Sequence, residues 1–109
     1  MAEPLLAHNV FFTLTDNSPA AVQKLLDACK KYLTVPAGIV YFACGKLEPE
    51  LARPVNDRGF DVGLHVIFTN RAAHDAYQIH ALHERFVAEN KPNWKTVRVF
   101  DTLVESVPR

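Results

Sequence analysis

A tyrosine and two histidines recur at three-residue steps late in the chain, as Tyr77, His80 and His83. On a regular helix such steps spread the three side chains over about a third of the circumference. An imidazole with a pKa near ~6.5 can take up or release a proton at neutral pH. A phenol beside it can polarise a carbonyl or hold an oxyanion. The pattern is therefore compatible with cofactor-free acid–base chemistry.

The same residues also have a purely structural interpretation. Tyrosine and histidine are commonly half-buried, and their polar ends can bond locally where a helix breaks. A metal site formed by His80, His83 and Glu84 is a further alternative. However, helical zinc pairs usually have i, i+4 spacing, one residue more than separates His80 from His83. We expect no metal and no cofactor.

The other three histidines are predicted to have different surroundings. His8 shares a strand face with apolar residues, so it is either a satisfied core group or a wall of the same cavity as His83. His65 falls on the opposite face of its strand and is predicted to lie at a subunit interface. His74 is predicted to lie on the surface.

Length and composition exclude several classes of protein. The chain has 109 residues and a mass of 12.2 kDa, which predicts a single domain spanning 1–109 with its core at about 7–103. Twelve basic residues balance twelve acidic ones without a basic stripe, so nucleic-acid binding is not expected. No apolar run approaches the ~18 residues of a membrane span, and no secretory leader is recognised, so a cytoplasmic location is expected. Cys29 and Cys44 match no metal-ligand spacing.

Four strands and two helices must position these side chains. Alternation and β-branched content predict strands, and three- and four-residue apolar steps predict helices. The apolar run between two glycines, Gly38–Gly45, is predicted to be a strand buried on both faces. The predicted strands are 8–15, 38–45, 60–68 and 95–103. The first predicted helix is 19–33, and a second helical region spans about 71–89, where a kink could bring Tyr77 and His83 closer or separate them.

The order β-α-β-β-α-β predicts an α+β, ferredoxin-like domain. Its four-stranded antiparallel sheet should carry both helices on one face. The other face would be too apolar to remain in water, which predicts a partner surface, most simply an identical sheet in a homodimer. This open face is predicted to carry Phe11, Thr13, Tyr41 or Phe42, His65 and Ile67.

Four segments in register resemble one known family. They are the strand at 8–12, the strand at 60–68, the Tyr-x-x-His-x-x-His-x-x-Phe pattern within 76–86, and the stretch from Trp94 to Asp101. Together they look like the stress-responsive A/B barrel (Dabb) family, over about 7–101. The resemblance implies a ferredoxin-like monomer whose sheet packs on a second copy to form a dimeric α+β barrel.

The resemblance also implies a site. The family includes plant stress-induced proteins and a plant polyketide cyclase, which closes a ring with a tyrosine and a histidine in a pocket between sheet and helices. By motif position these are Tyr77 and His83, and a first-strand histidine matches His8. If this chain is an enzyme, it is expected to be a lyase of that cyclase type. The remaining residues expected to line a small apolar pocket for a carbonyl or aromatic metabolite are Val10, Leu64, Val66, His80, Phe86 and Trp94.

Two alternatives stay open at this point. The first is a non-catalytic stress protein that acts as a stable dimer and has a filled interior. The second is a cofactor-free monooxygenase of the wider dimeric barrel type, which would oxidise an electron-rich aromatic compound. A ligand-sized cavity of a few hundred cubic ångströms would count against the first alternative.

Overall fold

A computed structural model describes residues 3–107 and has the α+β architecture expected from the sequence. A four-stranded antiparallel sheet has order β2-β3-β1-β4, and the helices cover one of its faces. The ferredoxin-like fold class is thereby confirmed. The elements are β1 Leu5–Leu14, α1 Pro19–Tyr32, β2 Ile39–Lys46, β3 Val62–Phe68, α2 Arg71–Gln78, α3 Ala81–Asn90, a 3-10 turn Lys91–Asn93 and β4 Trp94–Val104.

Strand β1 lies in the middle of the sheet and sets the register of the site. Its His8 pairs with Asp101 of β4, and Val10 pairs with Val99 of β4 and Leu64 of β3. Because side chains alternate along a strand, these residues all point towards the helices. The alternation in the sequence was therefore a correct guide to the inward face of β1.

The core lies between this inward face and the apolar stripe of α1. The helix begins where Ser18 accepts a hydrogen bond from the Ala21 N–H (3.3 Å), with Pro19 in the first turn. This is the usual start of a helix, since proline has no N–H to leave unpaired. Each large apolar side chain buried here stabilises the fold by about 1.5–3 kcal/mol. The core includes Val10, Phe12, Leu14, Leu25, Leu26, Cys29, Leu33, Val62, Leu64, Val66, Phe68, Tyr77 and Phe86.

The second predicted helical region, at about 71–89, consists of two helices, because the chain breaks between Gln78 and Ala81. His80 has extended backbone angles (φ −65°, ψ 139°), and its Nδ1 accepts a hydrogen bond from the Leu82 N–H at 3.0 Å. The side chain thus caps the first turn of α3, and Ile79 is left 77% exposed. The break separates α2 and α3, which carry different parts of the candidate site.

The prediction that the second strand is buried on both faces is also wrong. The sheet order places β2 at an edge, and its Tyr41 is 57% exposed. Phe42 pairs with Val66 and packs against the core, whereas Tyr41 pairs with Ile67 on the opposite face. The apolar character of this strand therefore serves one buried face and one open face.

The open face of the sheet is aromatic at its centre. Phe11 contacts the rings of Phe60, His65 and Phe100, with centroid distances of 4.9, 5.9 and 5.9 Å. Phe100 is still about half exposed after these contacts. Among the helices of residues 3–107, none is both long enough and apolar enough to span a bilayer.

Candidate functional site

A cavity of about 170 Å³ lies between the sheet and the helices. Its walls are almost entirely apolar, and two exposed valines of β4, Val97 and Val99, lie at its edge. The cavity reaches this edge because α2 and α3 cover β1 and β3 more completely than β4. An apolar cavity with a few converging polar groups is the usual form of a small-molecule site.

The structure brings most of the sequence-predicted site residues together around this cavity. Tyr77 and His83 both line it, as does His8 from the adjoining strand. Two predicted residues are placed elsewhere: Val66 is buried in the core away from the cavity, and His80 is occupied as the cap of α3. The apolar predicted residues that do line the cavity are Val10, Leu64, Phe86 and Trp94.

Tyr77 and His83 meet across the helix break, Tyr77 from the last turn of α2 and His83 from the first turn of α3. Their ring centroids are 4.8 Å apart in an edge-to-face arrangement. Tyr77 is only 1% exposed, and burial raises the pKa of its hydroxyl, which therefore keeps its proton and serves as a donor. Within residues 3–107 this hydroxyl has no hydrogen-bond partner.

His83 is the complementary group. Burial, and secondarily the nearby His8, lower the pKa of the His83 imidazole below its ordinary value. The ring is then neutral at physiological pH and offers one nitrogen as a proton acceptor. In the part of the chain that the structure describes, neither ring nitrogen of His83 is hydrogen-bonded. A donor and an acceptor thus stand side by side in an apolar cavity.

His8 is held firmly at the wall of the cavity. Its Nδ1 lies 2.6 Å from the Asp101 Oδ1, an interaction that follows from their pairing in the β1–β4 register. Burial lowers the pKa of His8, and the Asp101 hydrogen bond and charge oppose that effect without reversing it. The ring also contacts Tyr77, at a centroid distance of 5.8 Å.

The prediction that His74 lies on the surface is wrong. Its side chain is only 14% exposed, and its ring centroid lies 5.0 Å from that of His8 and 5.7 Å from that of Phe68. The signal that could have revealed this is its i, i+3 spacing from Tyr77, which places both side chains on one side of α2. His8 and His83 therefore contact Tyr77, and His74 contacts His8.

Trp94 forms the far wall. Its ring packs on Phe12 and Phe86, with centroid distances of 4.9 and 5.8 Å. The indole N–H is buried and has no hydrogen-bond partner within residues 3–107. Buried donors are normally paired, so this group is a further polar element of an otherwise apolar region.

A larger depression elsewhere is less suited to a ligand. It has a volume of about 340 Å³ and lies between the start of α1 and the 3-10 turn. Its polar groups already bond to each other: the Asp16 N–H donates to Asn93 Oδ1 at 2.8 Å, and Asn93 Nδ2 donates to the Asp16 carbonyl at 2.9 Å. The smaller cavity is therefore the stronger candidate, since two of its polar groups, Tyr77 and His83, have no hydrogen-bond partner within residues 3–107.

Comparison with known proteins identifies similar chains. The family model of the stress responsive A/B barrel domain (Dabb) matches residues 6–104. No curated protein matches the chain.

Three solved structures share the fold. A Dabb protein from Mesorhizobium loti with a ferredoxin-like fold is 24% identical, with a TM-score of 0.78 over 95% of this chain and all of that one. A dimeric ferredoxin-like protein of unknown function from Thermobifida fusca is 19% identical, with a TM-score of 0.78 over 94% of this chain and 92% of that one. A hydroxynitrile lyase from Passiflora edulis is 15% identical, with a TM-score of 0.75 over 98% of this chain and 99% of that one.

Proposed function

The chain belongs to the stress-responsive A/B barrel domain family, and from this premise we propose that it is a homodimer that binds a small carbonyl or aromatic metabolite in the cavity beside Tyr77 and His83. The proposal includes acid–base turnover of that ligand without a cofactor. The observation that carries it is a phenol and an imidazole in edge-to-face contact at an apolar cavity, neither of which has a hydrogen-bond partner among residues 3–107.

Unpaired polar groups favour binding over a purely structural role. Within residues 3–107 the Tyr77 hydroxyl and the His83 imidazole have no hydrogen-bond partner, and both open to the cavity instead of being sealed in the core. They are therefore free to bond with a ligand, as the converging polar groups of small-molecule sites do. A ligand with a carbonyl oxygen would accept a hydrogen bond from Tyr77, and one with an acidic C–H or O–H group would meet His83. Both needs are met by a β-dicarbonyl compound or a phenol.

The volume of the cavity limits the ligand. A cavity of about 150 Å³ lined by apolar side chains is known to hold benzene, and the cavity here has about 170 Å³. A single six-membered ring therefore fits inside. A longer substituent would have to leave past Val97 and Val99, at the edge of β4 where the cavity meets solvent.

The chemistry that this geometry supports is an aldol-type ring closure. His83 would remove a proton from the carbon next to a carbonyl, while the Tyr77 hydroxyl donates a hydrogen bond to the developing enolate oxygen. The enolate carbon then attacks a second carbonyl of the same molecule, forming a C–C bond. The resulting alkoxide recovers the proton from the His83 imidazolium, so no proton is gained or lost overall. One protein of this fold, the Passiflora edulis enzyme, is itself a lyase.

The homodimer would form through the open face of the sheet. The aromatic cluster around Phe11, with the exposed rings of Tyr41 and Phe100, offers an exposed apolar surface of the kind that marks association sites. Burial of such a surface on a second copy is favourable by roughly 25 cal/mol per Å² of apolar area. The Thermobifida fusca protein of the same fold is dimeric.

The experiment compares three variants of the full chain in ligand titration and turnover. Tyr77→Phe and His83→Ala should each weaken binding of a β-dicarbonyl or phenol probe. Each should also reduce any turnover by about 10²–10⁴-fold, the usual contribution of a general acid–base group. Tyr32→Phe is the control, because Tyr32 does not line the cavity and its hydroxyl already bonds to Glu89. Unchanged binding and turnover in both site variants would contradict the proposal.

A second candidate is the non-catalytic dimer, and one observation favours it. The cavity volume lies below the ~300 Å³ at which ligand pockets usually begin. In this case benzene-sized probes would enter weakly, the two site variants would bind them as the wild type does, and no substrate would turn over. The same titration therefore separates the two functions.

A further inference from the structure

We propose that His8, His74 and Asp101 form a binding site for a divalent transition-metal ion of the zinc type. Each residue offers one ligand atom, and these three atoms all lie within 4.8 Å of one another. Two imidazoles and one carboxylate are a common donor set for such ions, and they leave at least one coordination position open. This proposal does not depend on the function proposed above.

The fold brings the three residues together from three separate elements. His8 lies on β1, His74 on the second turn of α2, and Asp101 on β4. The β1–β4 register fixes Asp101 opposite His8, and packing of α2 on the sheet fixes the His74 ring 5.0 Å from the His8 ring. The site is therefore built from regular elements, which hold ligand geometry more precisely than loops do.

His74 is oriented as a metal ligand would be. Its Nδ1 lies 3.0 Å from Asp75 Oδ1, and Asp75 is held in turn by Arg71 Nε at 2.9 Å. A carboxylate that accepts the Nδ1–H of a histidine leaves Nε2 as the ligand atom, the arrangement usual in metal sites. The amide of Gln78 lies 3.5 Å from Nε2, and rotation of the Gln78 side chain can move it aside.

The charges of the cluster favour a cation. Two neutral imidazoles and one carboxylate carry a net charge of −1, and within residues 3–107 no lysine or arginine forms an ion pair with Asp101. At present a proton links His8 Nδ1 to Asp101 Oδ1 across 2.6 Å. A metal ion would take the place of this proton, with each ligand atom at about 2.0–2.2 Å from it.

The burial of the three side chains decreases from His8 to His74 to Asp101. His8 is buried, His74 is nearly so, and the Asp101 side chain is 44% exposed. An ion can therefore enter from the Asp101 side, and the partly exposed Asp101 side chain can adjust to complete the coordination. Because His8 also lines the candidate cavity, a bound ion would lie at the cavity wall.

The test uses the metals alone, with no organic ligand. Zn²⁺ is titrated into the full chain by calorimetry, and Co²⁺ is titrated while its visible absorption is recorded, since the band intensity reports coordination geometry. We expect one ion per chain, a cobalt spectrum typical of four or five ligands, and a rise in Tm with added Zn²⁺.

Variants identify the ligands. His74→Gln and Asp101→Asn should each weaken Zn²⁺ binding by more than the roughly 10–100-fold that loss of an outer hydrogen-bonding group costs. Asp75→Asn should lie within that range. His65→Gln is the matched control and should bind Zn²⁺ as the wild type does, because His65 lies on the opposite face of the sheet. Circular dichroism confirms that each variant is folded.

Two results would overturn the metal site. One is the absence of a saturable one-to-one cobalt spectrum. The other is equal Zn²⁺ affinity of the wild type and of both ligand variants. If His74→Gln fails to fold, the result for Asp101→Asn decides, because Asp101 is partly exposed and its replacement should leave the fold intact. An affinity unchanged in Asp75→Asn would overturn the orienting role given to Asp75. None of these results would alter the ligand titrations of Tyr77→Phe and His83→Ala.

Discussion

Replacement of Tyr77 by phenylalanine separates the two roles that its side chain can have. The ring is 1% exposed and packs against Phe68 and His83, with centroid distances of 4.9 and 4.8 Å. Phenylalanine keeps this packing and removes only the hydroxyl. Since no hydrogen bond within residues 3–107 reaches that hydroxyl, which opens to the cavity, its loss removes no bond from the fold. We expect the free energy of unfolding to stay unchanged or to rise by up to about 1 kcal/mol.

Tyr32→Phe is the matched control. The Tyr32 hydroxyl donates to the Glu89 carboxylate, with distances of 2.8 and 3.0 Å to its two oxygens. A hydrogen bond to a charged group stabilises the fold even when exposure of the carboxylate weakens it, so Tyr32→Phe should lower the free energy of unfolding. The two tyrosine-to-phenylalanine changes should therefore have different signs of effect on stability.

The assay is urea unfolding at one fixed protein concentration, because a dimer gains stability with concentration. A difference of 1 kcal/mol corresponds to a change in Tm of roughly 4 °C or more in a domain of this size. If Tyr77→Phe lost more than about 1.5 kcal/mol, its hydroxyl would have a partner inside the fold, and the reasoning that makes it a ligand donor would be refuted.

Three further predictions concern pH, a backbone position and the dimer. Burial lowers the pKa of His83 below 6.5, so between the folded and unfolded pKa values the unfolded chain binds a proton that the folded chain does not. Measured relative to His83→Gln, the free energy of unfolding of the wild type is therefore highest above pH 6.5 and falls as the pH drops through the folded pKa. Urea unfolding from about pH 8 to about pH 5 checks this, and a pH-independent difference would contradict it. Gly38→Ala should lower the free energy of unfolding by at least about 1–3 kcal/mol, because Gly38 has φ +86° and a Cβ there would lie 2.6 Å from the Ala73 Cβ. A Tm equal to that of the wild type would show that the loop adjusts freely. Phe100→Glu should convert the dimer to monomers in sedimentation velocity, because a carboxylate would be buried at the open face without a partner, and a dimer that survives it must use another surface.

The alternation of side chains was sufficient to predict the strands and the inward face of β1. His8 and Val10 could be placed on that face because the strand period is two residues and needs no knowledge of the rest of the fold. The motif spacing likewise pointed to Tyr77 and His83, which the structure brings to 4.8 Å between centroids. Strand alternation and motif spacing are local properties of the sequence, so they can be recognised without the tertiary structure.

The features that the sequence did not predict depend on tertiary structure. The order of strands in the sheet left β2 at an edge, and nothing in the run around Tyr41 reveals its position in that order. The helix break has no proline or glycine to mark it; the cap is His80, a residue outside the usual set of serine, threonine, aspartate and asparagine. The contact of His74 with His8 joins residues 66 positions apart, so the candidate metal cluster could be found only in three dimensions.

The register of β1 against β4 also determines where the chain can change in length. A single residue inserted into β4 between Val99 and Asp101 would turn Asp101 to the opposite face of the sheet and away from His8. The loop that joins β2 to β3 contributes nothing to the cavity, and Val55 within it is 82% exposed. A peptide tag or a fluorophore attached near Val55 should therefore leave the site intact, whereas labelling within β4 would destroy it.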